Sequence, residues 1–195
     1  MLSMKSLLVL VPVFGLTGAI HADELSYTYG EAGYARVMGE TGDVDFDGGG
    51  IGLSGSFAFT ESLFAIASYG HTKVDFNHSD VDADFDSYQV GVGAHLPLQD
   101  NLDVVGTLSW VKVDAEDAGN DNGLNVGLGL RGMVTEQVEW GAGIDYTDID
   151  DEGDYGFNVS GRYHFTPAFS VGLAVSTDDN ADVFTTAASA RLELR

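Results

Sequence analysis

Alternation with a period of two residues, repeated in ten segments, is the feature that most limits what this chain can become. The segments are 25–37, 49–60, 63–74, 85–97, 102–113, 123–134, 137–147, 155–165, 168–177 and 183–194. Each has about the length a tilted membrane strand needs. Ile51, Leu53, Phe57 and Phe59 oppose Ser54, Ser56 and Ala58. Tyr88, Val90, Val92, Ala94 and Leu96 oppose Gln89, Gly91, Gly93 and His95. Leu124, Val126, Leu128 and Leu130 oppose Asn125, Gly127, Gly129 and Arg131, and Val138, Trp140, Ala142, Ile144 and Tyr146 oppose Glu139, Gly141, Gly143 and Asp145. Tyr155, Phe157, Val159 and Tyr163 likewise oppose Asn158, Ser160 and Arg162. Successive side chains of a strand point to opposite faces, so each segment predicts a strand with one bulky apolar face and one small or polar face.

The sense of the alternation separates two kinds of barrel. A soluble ligand-binding barrel turns its large apolar side chains inward. Here the other face is glycine, serine and alanine with a few charges, which suits a narrow lumen. No helix or second sheet remains in the sequence to cover the bulky face, so lipid is its cover. The expected fold is therefore all-β, an antiparallel up-and-down transmembrane β-barrel of ten strands, or of eight if two early segments are loops. The first and third segments fit this pattern less clearly: in the first, Tyr27, Tyr29 and Glu31 share a parity, so a glutamate faces lipid unless the tyrosines point inward or Gly30 is a bulge.

Residues 1–22 read as a secretory signal peptide: Lys5 is the positive end, Leu7 to Leu16 the apolar stretch, and Ala22 (or Ala19) the cleavage position. Residues 23–195 then form one barrel domain. The chain carries a net charge of −23, which speaks against nucleic acid as a partner, since phosphate neutralisation needs Lys and Arg. It has no cysteine, which excludes disulfides and thiol chemistry. Most of the 31 acids fall in five connections, at 38–48, 75–86, 114–122, 148–154 and 178–182. These alternate with the short connections Thr60–Ser62, Leu98–Asn101, Thr135–Gln137 and Thr166–Ala168. Short turns on one rim and longer loops on the other predict an outer-membrane barrel, acidic loops outside and both termini at the periplasmic rim. Aromatic rings are expected at both interfaces: Phe57, Phe59, Phe64, Tyr163, Phe165 and Phe169 on the periplasmic side, Tyr146, Tyr155 and Phe184 on the other.

In LSYTYGEAGYARV, from Leu25 to Val37, the chain resembles a family of small xanthomonad-type outer-membrane proteins whose first strand follows an LSYNYxExGY-like pattern. DSYQVGVGAHLPL resembles that family's fourth strand and WGAGIDYTD its seventh. The family sits within the wider porin-like and OmpA-like small-barrel superfamily. The resemblance implies an outer-membrane barrel of a Gram-negative bacterium, in a family associated with secreted signalling and with biofilm or virulence phenotypes. It brings no catalytic residues. One departure is the ending Leu192–Glu193–Leu194–Arg195, where such barrels usually end in an aromatic residue used in assembly.

Three groups of residues are candidates for chemistry. Arg131, Arg162 and Arg191 share the inward parity with Glu139, Asp145 and Glu193, and Glu31 is a further member. Such charges in a narrow interior must pair or stay hydrated, so they predict either an ion-pair network that closes the lumen or the lining of a small cation-preferring pore. Asp43, Asp45, Asp47 and Gly48 resemble the start of a calcium loop, but Ser54 stands where its glutamate belongs. The acidic loops are expected to be a solvated surface without a cofactor, the alternative being weak binding of Ca2+ or Mg2+ that bridges them to lipopolysaccharide. His71, His78, Ser79 and Asp80 cluster in sequence but do not by themselves make a catalytic triad. The expected function is thus a non-enzymatic barrel, structural or surface-interacting, its partners being outer-membrane lipid, lipopolysaccharide and the barrel-assembly machinery. A small pore is the alternative and an adhesin-like surface role a third.

Overall fold

The computed structural model describes residues 20–21, 24–41, 44–76, 82–115, 119–150 and 152–194. Ten of its strands close into one barrel. They are β1 (Tyr29–Thr41), β2 (Val44–Ala58), β3 (Leu63–Phe76), β4 (Asp82–Gln99) and β5 (Leu102–Ala115). Then follow β6 (Gly119–Thr135), β7 (Val138–Ile149), β8 (Glu152–Thr166), β9 (Phe169–Asp178) and β10 (Val183–Glu193). Each pairs antiparallel with its neighbours in sequence, and β10 closes on β1 from Val183 opposite Gly39 to Glu193 opposite Tyr29. Closure leaves no unpaired edge. Ahead of the barrel, Ile20–His21 pairs with Glu24–Leu25. The remainder of the expected leader lies outside the described residues.

The rim where β1 begins and β10 ends (the terminal rim) is built from tight turns, three of which reuse one device. Thr60 Oγ1 accepts from the N–H groups of Ser62 and Leu63 at 3.3 and 2.9 Å. Thr135 does the same for Gln137 and Val138, and Thr166 for Ala168 and Phe169. A threonine hydroxyl placed this way ties off donors that would otherwise go unpaired at the strand end. Register shifts sit beside these turns, between Pro97 and Gln99, Met133 and Thr135, and His164 and Thr166. Pro97 has no N–H to give to a ladder, so a bulge is where a strand tolerates it.

The opposite, distal rim corrects the expected loops. Of the connections expected over 38–48, 75–86, 114–122, 148–154 and 178–182, most residues are strand, and β1 to β9 run on into the acidic runs. The physical reason lies in the acidic runs themselves, which alternate in the opposite sense to the membrane segments. In β2, Asp45 and Asp47 face outward while Phe46 is buried; in β4, Asp84 and Asp86 flank buried Phe85. Val74 lies at 0% exposure between Lys73 and Asp75, and Ile149 is buried next to Asp148. Carboxylates in water do not hinder a ladder whose other face buries valine and phenylalanine.

The central band has the sense read from the sequence. Ile51, Leu53, Val90, Leu128, Val159 and Leu173 stand outward and exposed, Leu173 at 69%. Tyr34, Tyr69, Tyr88, Trp110, Tyr146 and Tyr155 face outward where this band meets the acidic zone. Phe64 is a correction: expected at an interface, it points into the lumen at 2% exposure. Gly93 across the ladder makes the space, since a Cβ there would collide with the Phe64 ring. Tyr27, Tyr29 and Glu31 are all buried on the lumen side, which resolves the conflict in the first segment without a bulge.

Candidate functional site

The lumen is filled in three layers. Nearest the terminal rim lies a layer of charge. Arg131, at 1% exposure, donates from Nε to Glu139 Oε1 at 3.0 Å, and His164 Nε2 lies 3.1 Å from Glu139 Oε2. Glu31 accepts from Arg162 Nη2 at 2.7 Å and from Arg191 Nε at 2.6 Å, with Arg191 Nη2 also on the same carboxylate. Arg162 further donates to Ser170 and Ser189 at 3.2 and 3.1 Å. Period-two strands supply these groups from β1, β6, β7, β8, β9 and β10. Register sets Arg191 opposite Glu31, and Arg162 opposite Glu139, though the Arg162 guanidinium reaches across to Glu31 instead. Glu193, two positions from Arg191 on the same face, is buried with neither carboxylate oxygen hydrogen-bonded to a described residue. Asp145 stands apart from this layer, its Oδ2 accepting from Asn125 Nδ2 at 3.0 Å.

Residues 25–28 cross the terminal mouth as a strap. The Tyr27 hydroxyl donates to Asp103 Oδ2 at 2.7 Å, and its ring stacks on His95 at 3.9 Å and on Phe64 at 4.8 Å. The Arg131 guanidinium lies over the same ring at 4.6 Å and donates to the Ser26 carbonyl at 3.1 Å. Hydrogen bonds tie the strap to the strands on either side of β1: Ser56 Oγ donates to the Tyr27 carbonyl, the Ala58 N–H to Thr28 Oγ1, and the Leu194 N–H to the Thr28 carbonyl. The strap was not foreseen, because residues 25–28 carry the strand pattern on to β1 without a break.

At the distal end the lumen closes on side chains from seven strands. Val37, Phe46, Val74, Phe85, Val111, Val113, Ile149 and Val183 form one buried apolar cluster. The signal for it was present as Val or Phe set between aspartates, with the sense of the alternation reversed. Around its outside, Arg36 pairs with Asp47 at 3.3 Å, Lys73 with Asp84 at 3.0 Å and Lys112 with Asp114 at 2.8 Å.

The structure places the remaining candidates as follows. Asp45 and Asp47 lie on a strand, where alternate side chains run parallel instead of wrapping round an ion as a calcium loop does; Asp43 is outside the described residues. Among the described residues no group of three or more His, Cys, Asp or Glu is placed to hold a metal. His71 Nδ1 lies 3.0 Å from Asp86 on the outer wall, while His78, Ser79 and Asp80 are outside the described residues.

Residues 6–165 match the family described as outer membrane protein beta-barrel domain. No curated protein matches the chain. Among solved structures, the β domain of the Bordetella autotransporter BrkA aligns over 87% of this chain and 100% of its own, with a TM-score of 0.56 and 8% identity. The translocator domain of the autotransporter NalP from Neisseria meningitidis aligns over 89% and 90%, with a TM-score of 0.52 and 10% identity. The KdgM porin aligns over 86% and 99%, with a TM-score of 0.48 and 10% identity. At such identities the likeness to the two autotransporter domains is one of fold.

Proposed function

Since the chain belongs to the outer membrane protein β-barrel domain family, we propose that it is a non-enzymatic barrel with a sealed lumen, which carries a rigid acidic turret above the outer membrane. The observation that carries this reading is the reversal of polarity along the barrel axis. In the central band bulky apolar groups face outward, as lipid requires. Beyond the tyrosines and Trp110 they turn inward and carboxylates face out, as water requires. In this reading the distal rim is extracellular, the terminal rim periplasmic, and residues 1–22 are the leader that exports the chain. The likeness of its first strand supports a place among the small xanthomonad-type proteins.

Two features support a closed lumen over a cation-preferring pore. The apolar cluster presents nothing to solvate an ion, and the charge layer with the Tyr27 strap fills the other mouth. The work of such a molecule is done by its outer surface. Just above the lipid headgroups, its outward carboxylates offer Ca2+ or Mg2+ a bridge to lipopolysaccharide phosphates. Single-channel recording in planar bilayers tests the seal. The native protein is expected to insert and stay silent; reproducible cation-selective steps overturn this reading in favour of the pore.

A further inference from the structure

Between the charge layer and the apolar cluster the lumen keeps a cavity of about 50 Å3. One water needs roughly 10–15 Å3 measured this way, so the space admits a few waters or one ion with part of its shell. Its wall is mostly apolar surface, broken by the oxygen-bearing side chains of Ser54, Ser68, Gln89, Asn125, Asp145 and Asn158.

Asp145 brings the only formal charge among the residues lining that wall. The guanidinium groups of the lumen are engaged elsewhere, Arg131 with Glu139 and both Arg162 and Arg191 with Glu31. Arg191 is also screened from the cavity by Tyr29, on whose ring it lies at 3.7 Å. Asp145 therefore has no cationic partner among the described residues. A carboxylate held that way in a low-dielectric interior is costly unless it is neutralised.

The neighbouring groups favour neutralisation by an ion. Asn125 spends its amide N–H groups on Asp145 at 3.0 Å and Thr147 at 2.8 Å, which leaves its carbonyl oxygen as an acceptor. Ser54 Oγ is buried without a hydrogen-bond partner. One carboxylate with amide and hydroxyl oxygens is the donor set of a hard cation of low charge, because Ca2+ sites gather more carboxylates than one. We propose that Asp145 and the oxygen atoms around this cavity hold a monovalent cation, Na+ or K+, in the middle of the barrel.

The test is to refold the full chain from urea into liposomes in NaCl, KCl or choline chloride at one ionic strength and to compare unfolding midpoints. The native barrel is expected to unfold at higher urea in one or both alkali salts than in choline chloride, and Asp145→Asn to remove that difference. Equal midpoints in all three salts overturn the proposal, as does an Asp145→Asn variant that keeps the native salt ranking. Should that variant not fold, flame photometry decides the matter, on the native barrel refolded in NaCl or KCl and then desalted into choline chloride, because a sealed lumen keeps a bound ion from bulk exchange. One alkali ion per barrel supports the site, and none overturns it. A carboxylic-acid C=O band from Asp145 at neutral pH also overturns it, because the group is then neutralised by a proton.

Discussion

At the scale of single residues, the charge layer concentrates the largest consequences. Glu139 lies at 0% exposure and serves both Arg131 and His164. Removing one partner of a buried ion pair leaves the other charge uncompensated, at a cost of about 3–5 kcal/mol. Glu139→Gln is therefore expected to lower the urea midpoint in liposomes by an amount of that order, and a loss under about 1 kcal/mol would sink the assignment. Arg131→Met with Glu139→Leu together should recover much of it, because both charges then leave the interior. That these residues face inward follows from their parity alone. Their pairing does not, because it is set by side-chain reach across the lumen: Arg162 stands opposite Glu139 in the ladder yet binds Glu31.

At the scale of elements, the terminal turns and the distal strand ends obey different rules. The turns depend on a threonine hydroxyl at Thr60, Thr135 and Thr166. Thr135→Val keeps the side-chain shape but removes the acceptor for two backbone donors, Gln137 and Val138. It is expected to cost about 1 kcal/mol, read as a lower urea midpoint. The corresponding Thr60 and Thr166 variants should add to it, since separate turns do not share partners; an unchanged midpoint in the triple variant would mean that the ladders alone set these turns. Short turns were legible from TES, TEQ and TPA between apolar residues. The strand ends at the other rim were not, because a run such as DVDFDG reads as a loop by composition and as a strand only by period. Tyr34 and Tyr146 mark where the reading changes sign. Each ring lies so close to a glycine on the next strand, Gly49 and Gly153, that a Cβ there would strike its hydroxyl.

For the whole molecule, the barrel is an outwardly apolar cylinder continued by an outwardly acidic one, and a pair of substitutions separates the inside of the acidic zone from its outside. Val74→Asp puts a charge into the apolar cluster at a position with 0% exposure, and it should prevent folding or cost several kcal/mol. Asp84→Asn, one ladder away, removes only a solvent-exposed pair with Lys73 and should cost less than about 1 kcal/mol. Equal effects would mean that the distal end is not packed as described. Within the chain, period two and the want of any covering element determined the antiparallel order and which face of the central band meets lipid, and they narrowed the strand count to ten or eight. These are properties of neighbouring residues, and local spacing carries them. Closure alone decided the rest. It set Arg191 on Glu31 across 160 positions of sequence, laid Tyr27 between His95 and Arg131, and left Asp145 beside a cavity without a counter-charge. No local pattern encodes which side chains meet across a lumen, because strand register and the curvature of the whole wall bring them together.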